Sequence, residues 1–478
     1  MSVRKNLAYS TVLTLSTYLI PLVVFPYISR ILGPEGIGAV DTVEYTINYC
    51  ILCSMMGLSI IGIREIAQVK NDKKQLAKVF TNLFLMNFIV SFIVVSVLLI
   101  LIFIIPDFYQ RKNLFFIGML KIVANVFWIE WFYKGIEDFK YITVRSLIVR
   151  FLFIVFVFVL VNNSDDNILY YFLFVSITLL NALCNWFYKK KYIFSMSFKT
   201  INVRSIMYPY FMLGLFALLS AVYTNLNVAF LGFICNEEEV GYYTTATRLY
   251  TVVIALMSTL TGVMIPRMSI LVKESKYEEI RLIISKVFDI LFMFSIPVII
   301  YILFYAENLI MIFAGLEFLP AAIPMRIVIL LLIVIGTEQI YIMQLLVPLK
   351  KDGFVTICAL CGAFVCILFN FFFVADMKSI GSAFAWLISE LTVLSLASVA
   401  VKKYFSISFP FAVLLKHILL SMPYWIIAAF SVFVIDKPYM QLLFSFVFFV
   451  LYFVVMEEEI LKLKVIANLF RKLSNKYN

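Results

Sequence analysis

From Phe80 to Ile105 the chain carries no charged residue, and apolar stretches of this kind recur along almost its whole length. A helix needs about 20 apolar residues to cross the hydrocarbon core of a bilayer. Backbone groups in lipid must also bond internally, which leaves helices or closed barrels. Barrel strands alternate lipid-facing and lumen-facing side chains, and these runs have no such period. The expected fold is therefore all-α and integral to the membrane. Composition agrees, because 64% of the 478 residues are hydrophobic and 14% are charged, whereas a soluble domain has about half and a quarter.

About fourteen transmembrane helices are expected, near residues 8–29, 39–63, 80–105, 114–134, 142–161, 168–188, 207–234, 241–265, 284–305, 320–347, 354–375, 380–400, 411–435 and 439–456. Lys and Arg in the connections set the orientation. Of the 39 basic residues, 31 fall in one set of connections, which begins with Arg4 and Lys5 and ends with Arg471, Lys472 and Lys476. The alternate set holds only Arg30, Arg111, Lys112, Lys378 and Lys437. This bias places both termini in the cytoplasm. The net charge of +11 is mostly this topology signal, and a nucleic-acid partner is not needed to explain it. Arg4 and Lys5 precede a first stretch of spanning length without a small-residue cleavage site, so the first helix is expected to stay.

The chain contains an internal repeat. Glu35-Gly36-Ile37-Gly38 leads into the second span and Glu238-Glu239-Val240-Gly241 into the eighth, and Arg64 and Arg267 follow the two glycines at the same interval. This suggests two six-helix bundles in parallel, residues 1–188 and 207–400, joined by a basic cytoplasmic linker at 189–206. An extra helix pair at 401–456 and an amphipathic cytoplasmic tail at 457–478 would follow. Paired halves around a central site are a common transporter plan.

Ionisable residues inside spans are costly and usually face a cavity or a partner. Asp41, Glu44 and Asn48 share one face of the second span, as Lys121 and Asn125 do in the fourth. Arg248 lies two turns into the eighth, with Thr244 and Thr251 on its face. Arg326 and Glu338 lie in the tenth, Glu390 in the twelfth, and Asn225 and Asn227 in the seventh. One reading makes these groups interhelical pairs, for example Arg30 with Asp41 or Glu44. The other makes Arg248, Arg326 and Lys121 a cationic lining for an anionic group, since Arg fits phosphate geometry. Asp41, Glu44, Glu338 and Glu390 are then candidates for ion or proton coupling or gating.

Several features are missing. The chain has no G-x-x-x-x-G-K-[ST] segment, so it is not expected to hydrolyse ATP. The lone histidine, His417, excludes an all-His metal site. Cys50-x-x-Cys53 and Cys358-x-x-Cys361 lie inside apolar helices, where packing is the simpler role. No catalytic, metal or cofactor constellation emerges, and the chain reads as a transporter rather than an enzyme.

Several motifs in order resemble the polysaccharide-transport family of lipid-linked oligosaccharide flippases. They are Arg30-Ile31-Leu32-Gly33-Pro34-Glu35-Gly36-Ile37-Gly38, Gly62-Ile63-Arg64-Glu65-Ile66-Ala67, and Trp128-Ile129-Glu130-Trp131-Phe132-Tyr133-Lys134-Gly135-Ile136-Glu137. Gly241-Tyr242-Tyr243 leading to Arg248, Ile265-Pro266-Arg267-Met268-Ser269, and Ile380-Gly381-Ser382-Ala383 with Ser389-Glu390 follow. Tyr133-Lys134 departs from the Phe-Gln pair expected there. The resemblance implies a fold like that of the multidrug and toxin extruders, with alternating access between two bundles. It implies an undecaprenyl-diphosphate-linked oligosaccharide as substrate, moved to the outer leaflet of a bacterial inner membrane for O-antigen, capsule or exopolysaccharide assembly. It implies as well a monomer that works with other polysaccharide-assembly proteins and membrane lipid. On this reading Arg248 binds diphosphate or an acidic sugar, with Lys121 and Arg326 assisting. A drug or cation antiporter of the same fold is the alternative, although residues 8–29 lack the Asp or Glu such pumps commonly carry there. A membrane-embedded glycosyltransferase or polymerase is a further alternative, which a large outer loop would favour and the short outer connections do not.

Overall fold

The computed structural model describes residues 3–193 and 226–455, together with 207, 210, 211, 214 and 218. The linker beyond residue 193, Asn225 and the tail from 456 lie outside the described residues. No strand occurs among those described, as the unbroken apolar runs require. The chain divides into two compact units, Met1–Thr244 and Thr245–Asn478.

The first unit opens with α1 (Val3–Met55), whose only break is Gly33 at φ 62°, ψ −179°, a conformation essentially reserved for glycine. Pro34 follows it and cannot donate a backbone N–H. At 1.5 Å per residue the 53 residues of α1 far exceed one bilayer thickness, so the break divides two crossings. Short α2 (Leu58–Val69) leads to α3 (Lys73–Ile104). Asp72 caps α3, its carboxylate accepting from Lys74 N at 2.9 Å and Gln75 N at 3.1 Å. That bond satisfies donors the helix leaves orphaned. Short α4 (Pro106–Gln110), α5 (Lys112–Trp128), α6 (Glu130–Gly135), α7 (Phe139–Leu160) and α8 (Asn167–Tyr188) complete the run. Between α5 and α6 stands Ile129 at φ 36°, ψ 33°, a left-handed conformation that a β-branched side chain adopts only under strain.

Helix α3 shows why this fold needs lipid. Phe80, Leu83, Phe84 and Asn87 are buried, yet Phe88, Phe92, Ile100 and Phe103 on the other side are exposed. A helix apolar all round is a membrane helix. The buried side joins a core of Phe80, Trp131, Phe132, Tyr133 and Tyr210.

The repeat seen in the sequence returns as packing in this unit. A Cβ at Gly38 would lie 1.7 Å from the Glu237 carbonyl oxygen, and one at Gly241 would lie 2.3 Å from that of Pro34. Each repeat's glycine therefore admits the backbone of the other repeat's leading segment. Arg111 Nε closes the same end on Glu237 at 2.6 Å.

The second unit takes most of α9 (Glu237–Lys273), then α10 (Tyr277–Phe313), α11 (Ala322–Val328), α12 (Leu331–Gln339) and a π-helical stretch, Ile340–Leu346. Helix α13 (Asp352–Phe405) has 54 residues and a single non-helical position, Lys378 at φ 51°, ψ −127°. Helices α14 (Phe411–Leu420), α15 (Met422–Val434) and α16 (Pro438–Val455) end the described chain. Seven helices among the described residues are long and apolar enough to span, or nine if each bent pair counts as one. That count stops short of fourteen partly because α1 and α13 each run through a kink as one helix.

Candidate transport sites

In the first unit α5 packs along α8 and α1, and polar groups from all three meet. Lys121 Nζ bonds Glu44 Oε1 and donates to Asn48 Oδ1 at 3.1 Å. Asn48 Nδ2 donates to Glu44 Oε1 at 3.0 Å, and Tyr171 OH to Glu44 Oε2 at 3.1 Å. The ammonium also lies 5.3 Å from the Phe174 ring centroid. Both oxygens of Glu44 are thus occupied, and its charge is cancelled by a cation from another helix. Pairing across helices was one of the two readings, with Arg30 as an example of the cation for Asp41 or Glu44. The structure gives Glu44 to Lys121. Asp41 is buried on the same stretch of α1 as Glu44.

Further along α5 the polar track continues through Asn125 to Trp128, and past the Ile129 break to Glu130 and Lys134. Glu130 accepts from Trp128 Nε1 at 2.8 Å, pairs with Lys134 at 2.7 Å and lies 3.7 Å from Arg145. Arg145 is 5% exposed. Its guanidinium bonds Asn185 Oδ1 and donates to Ser146 Oγ at 2.9 Å. Arg150 bonds Ser16 Oγ, the Leu13 carbonyl at 3.2 Å and Thr17 Oγ1 at 3.0 Å. Both arginines were counted among the cytoplasmic cations although they fall inside the expected span 142–161, and both lie inside α7. The signal was present. Ile142, Ser146, Val149 and Phe153 form the buried stripe of α7, and Arg145 falls on it.

In the second unit Glu390 is 2% exposed and accepts from Trp386 Nε1 at 2.9 Å. The Glu338 side chain lies beside that of Glu390. Two carboxyl groups can share a hydrogen bond only if one holds a proton, because an ionised carboxylate has nothing to donate. The second oxygen of each finds no partner among the described residues. Glu338 stands just before the π-helical stretch, a local widening often found at functional sites. Tyr250 packs edge-on against Trp386 at 5.5 Å.

The remaining predicted positions are spread out. Arg326 donates to the Leu303 carbonyl at 3.1 Å and pairs with Glu307 at 3.0 Å, where both side chains are partly exposed. Arg248 is half-buried on α9, one turn beyond the buried Thr244 and beside Thr247. Asn227 is fully buried and donates to Tyr243 OH at 3.1 Å. His417 meets Asp289 at 3.0 Å. No group of side chains suited to a metal ion is found among the described residues.

Outside the spans, Asp166 accepts from the backbone N–H groups of Asn162 and Asn163 at 2.9 and 2.8 Å, which hold its carboxyl below the usual range. Glu137 is held low by its bond to Lys70.

The family described as polysaccharide biosynthesis protein matches residues 3–272, more than half of the chain. A candidate O-antigen transporter of Escherichia coli (strain K12) is 23% identical over 83% of this chain and 96% of its own length. Its counterpart in Shigella dysenteriae is 22% identical over 84% of this chain and all of its own. Among solved structures, the lipid II flippase MurJ superposes with a TM-score of 0.74 over 95% of this chain and 100% of that one, at 14% identity. A multidrug resistance MATE family transporter superposes with a TM-score of 0.63 over 81% and 94%, at 15% identity. The fold is the one these transporters share, as the resemblance implied, and the relatives are transporters rather than enzymes.

Proposed function

The chain belongs to the polysaccharide biosynthesis protein family, and from that premise we propose that it is a flippase for polyprenyl-diphosphate-linked oligosaccharides. The carrier is undecaprenyl diphosphate, and the repeat unit moves from the cytoplasmic to the outer leaflet for O-antigen, capsule or exopolysaccharide assembly. One observation carries this reading: two candidate O-antigen transporters match over nearly their whole length. Alternating access in the bacterial inner membrane, with both termini cytoplasmic, fits the basic-residue bias. The working unit is a monomer that meets other polysaccharide-assembly proteins through its lipid-linked cargo.

The physical chemistry supports a lipid-linked anion. A polyprenyl chain can stay in the bilayer, so the protein has only to shelter the diphosphate and sugar. Ionisable side chains inside apolar spans provide that shelter at a cost justified by function. Arg248 on α9 is assigned to the head group, with Arg326, held by Glu307, as a supporting cation. Asn125, Asn225 and Asn227 supply neutral hydrogen bonds. Glu338 and Glu390 are the coupling pair, since they can exchange a proton without a metal, and Asp41 is assigned to gating.

The test is genetic and direct. Deleting the gene should abolish surface glycan, and the wild-type gene should restore it. Arg248→Ala, at matched membrane expression, should restore less than a tenth as much, the loss expected when a charged hydrogen-bonding partner is removed. Full restoration by Arg248→Ala would remove that residue from the site. Unchanged glycan in the deletion would remove the function.

A further inference from the structure

Two cavities of about 280 and 290 Å³ adjoin the break in the fourth span, and Trp128, Glu130 and Lys134 line both. Asn125 and Ser59 complete the first, and Arg150, Ser146, Thr17 and Asn181 the second. Three cations, Lys134, Arg145 and Arg150, gather here around one carboxylate, Glu130. This balance differs from the Lys121–Glu44 pair, where one cation meets one anion. A surplus of positive charge inside a membrane protein is expensive unless something negative comes to it.

The bonding pattern shows which groups are available. Arg150 is held only by neutral oxygens, the Leu13 carbonyl and the hydroxyls of Ser16 and Thr17, among the bonds the described residues make. Those bonds orient a guanidinium without neutralising it. Asn125 Nδ2, a donor, has no hydrogen-bond partner among the described residues. Asn181 is 1% exposed, and its Oδ1, an acceptor, has no partner there either. It suits a sugar hydroxyl or a protonated phosphate oxygen. The Ile129 break keeps Trp128 Nε1 and Lys134 on the same carboxylate from two different helices.

We infer that this double cavity is the diphosphate seat, in which Lys134 and Arg150 bind the phosphate oxygens and Glu130 is the internal counter-ion that the diphosphate displaces. Glu130 holds the cations in place and yields its bonds to the cargo, staying in the cavity so that Glu130 and the diphosphate together answer the three cations. A diphosphate, with more charge than a single carboxylate, answers the surplus that Glu130 leaves. The assignment rests on the flippase reading and sharpens it, because it moves the diphosphate to the first unit and leaves Arg248 to the sugar.

The test is equilibrium binding of undecaprenyl diphosphate to the purified full-length protein in detergent, with inorganic pyrophosphate as competitor. Lys134→Gln and Arg150→Gln should each weaken lipid binding by about tenfold or more, the loss of one charge-assisted hydrogen bond. Glu130→Gln should tighten it several-fold, an effect that misfolding cannot imitate. All three variants within twofold of wild type would overturn the site and leave the flippase reading standing. Weaker binding by Glu130→Gln would overturn the counter-ion role. Pyrophosphate competing as well as the lipid would make the free anion the ligand and overturn the lipid assignment. A wild-type protein that binds neither probe would overturn the flippase reading together with the site.

Discussion

The two units handle buried carboxyl groups in opposite ways. In the first, Glu44 is neutralised by Lys121 and finished by Asn48 and Tyr171. In the second, Glu390 faces Glu338 and Trp386, and no cation pairs with it among the described residues. An ion pair with every valence filled has one stable arrangement, which suits a fixed strut between helices. A carboxyl pair with unfilled oxygens has several, which suits a group that changes state during transport. The same contrast runs through the backbone, where the long helix of the first unit breaks at a glycine and that of the second at Lys378.

Breaking the strut should have the largest effect. Lys121→Met leaves Glu44 buried with no cation and should lower stability by about 3–5 kcal/mol, read as a fall in melting temperature in detergent. Adding Glu44→Gln should recover more than half of that loss. A single variant that costs under about 1 kcal/mol would mean the two units do not differ in this way.

The second unit should tolerate the matching change. Glu390→Gln keeps an acceptor for Trp386 and supplies a donor for Glu338, so stability should stay within about 1 kcal/mol of wild type. Transport, however, should lose whatever pH dependence the pair gives it, measured as glycan-lipid translocation across a pH series. An unaltered pH profile would make the carboxyl pair a packing feature like its counterpart.

A smaller gain is expected at the kink. Lys378 is exposed and holds a positive φ, so Lys378→Gly should raise stability by roughly 1 kcal/mol. Gly33→Ala should do the reverse, by a similar or larger amount.

The smallest effect lies outside the membrane. The N–H groups of Asn162 and Asn163 depress the Asp166 carboxyl, so the loop's extra stability is present above the ordinary carboxylate pKa. It is lost as pH falls through the lower folded value. Hydrogen exchange at those two amides should quicken below about pH 4, and Asp166→Asn should show the quickened rate at neutral pH.

How much of this was legible beforehand follows from the distances involved. Apolar runs such as Phe80–Ile105 announce membrane helices because lipid imposes the pattern locally. The glycines at 38 and 241 were visible as a repeat, and the structure supplies their purpose as points of close backbone approach. Partner choice was not legible. Lys121 and Glu44 are 77 residues apart, and nothing in either helix selects that partner. The break at Ile129 was hidden too, because Trp128-Ile129-Glu130 contains neither Gly nor Pro. Arg145 and Arg150 fall inside the expected span 142–161, but counting cations by connection does not show which of them bond within a bundle.

The central claim is that this chain moves a lipid-linked oligosaccharide across the membrane, and leaflet location tests it most directly. Undecaprenyl-linked oligosaccharide should be measured on each face of the inner membrane, in cells with and without the gene. The account predicts accumulation on the cytoplasmic face and loss of surface glycan when the gene is absent. Glycan-lipid equally distributed in both strains would contradict it.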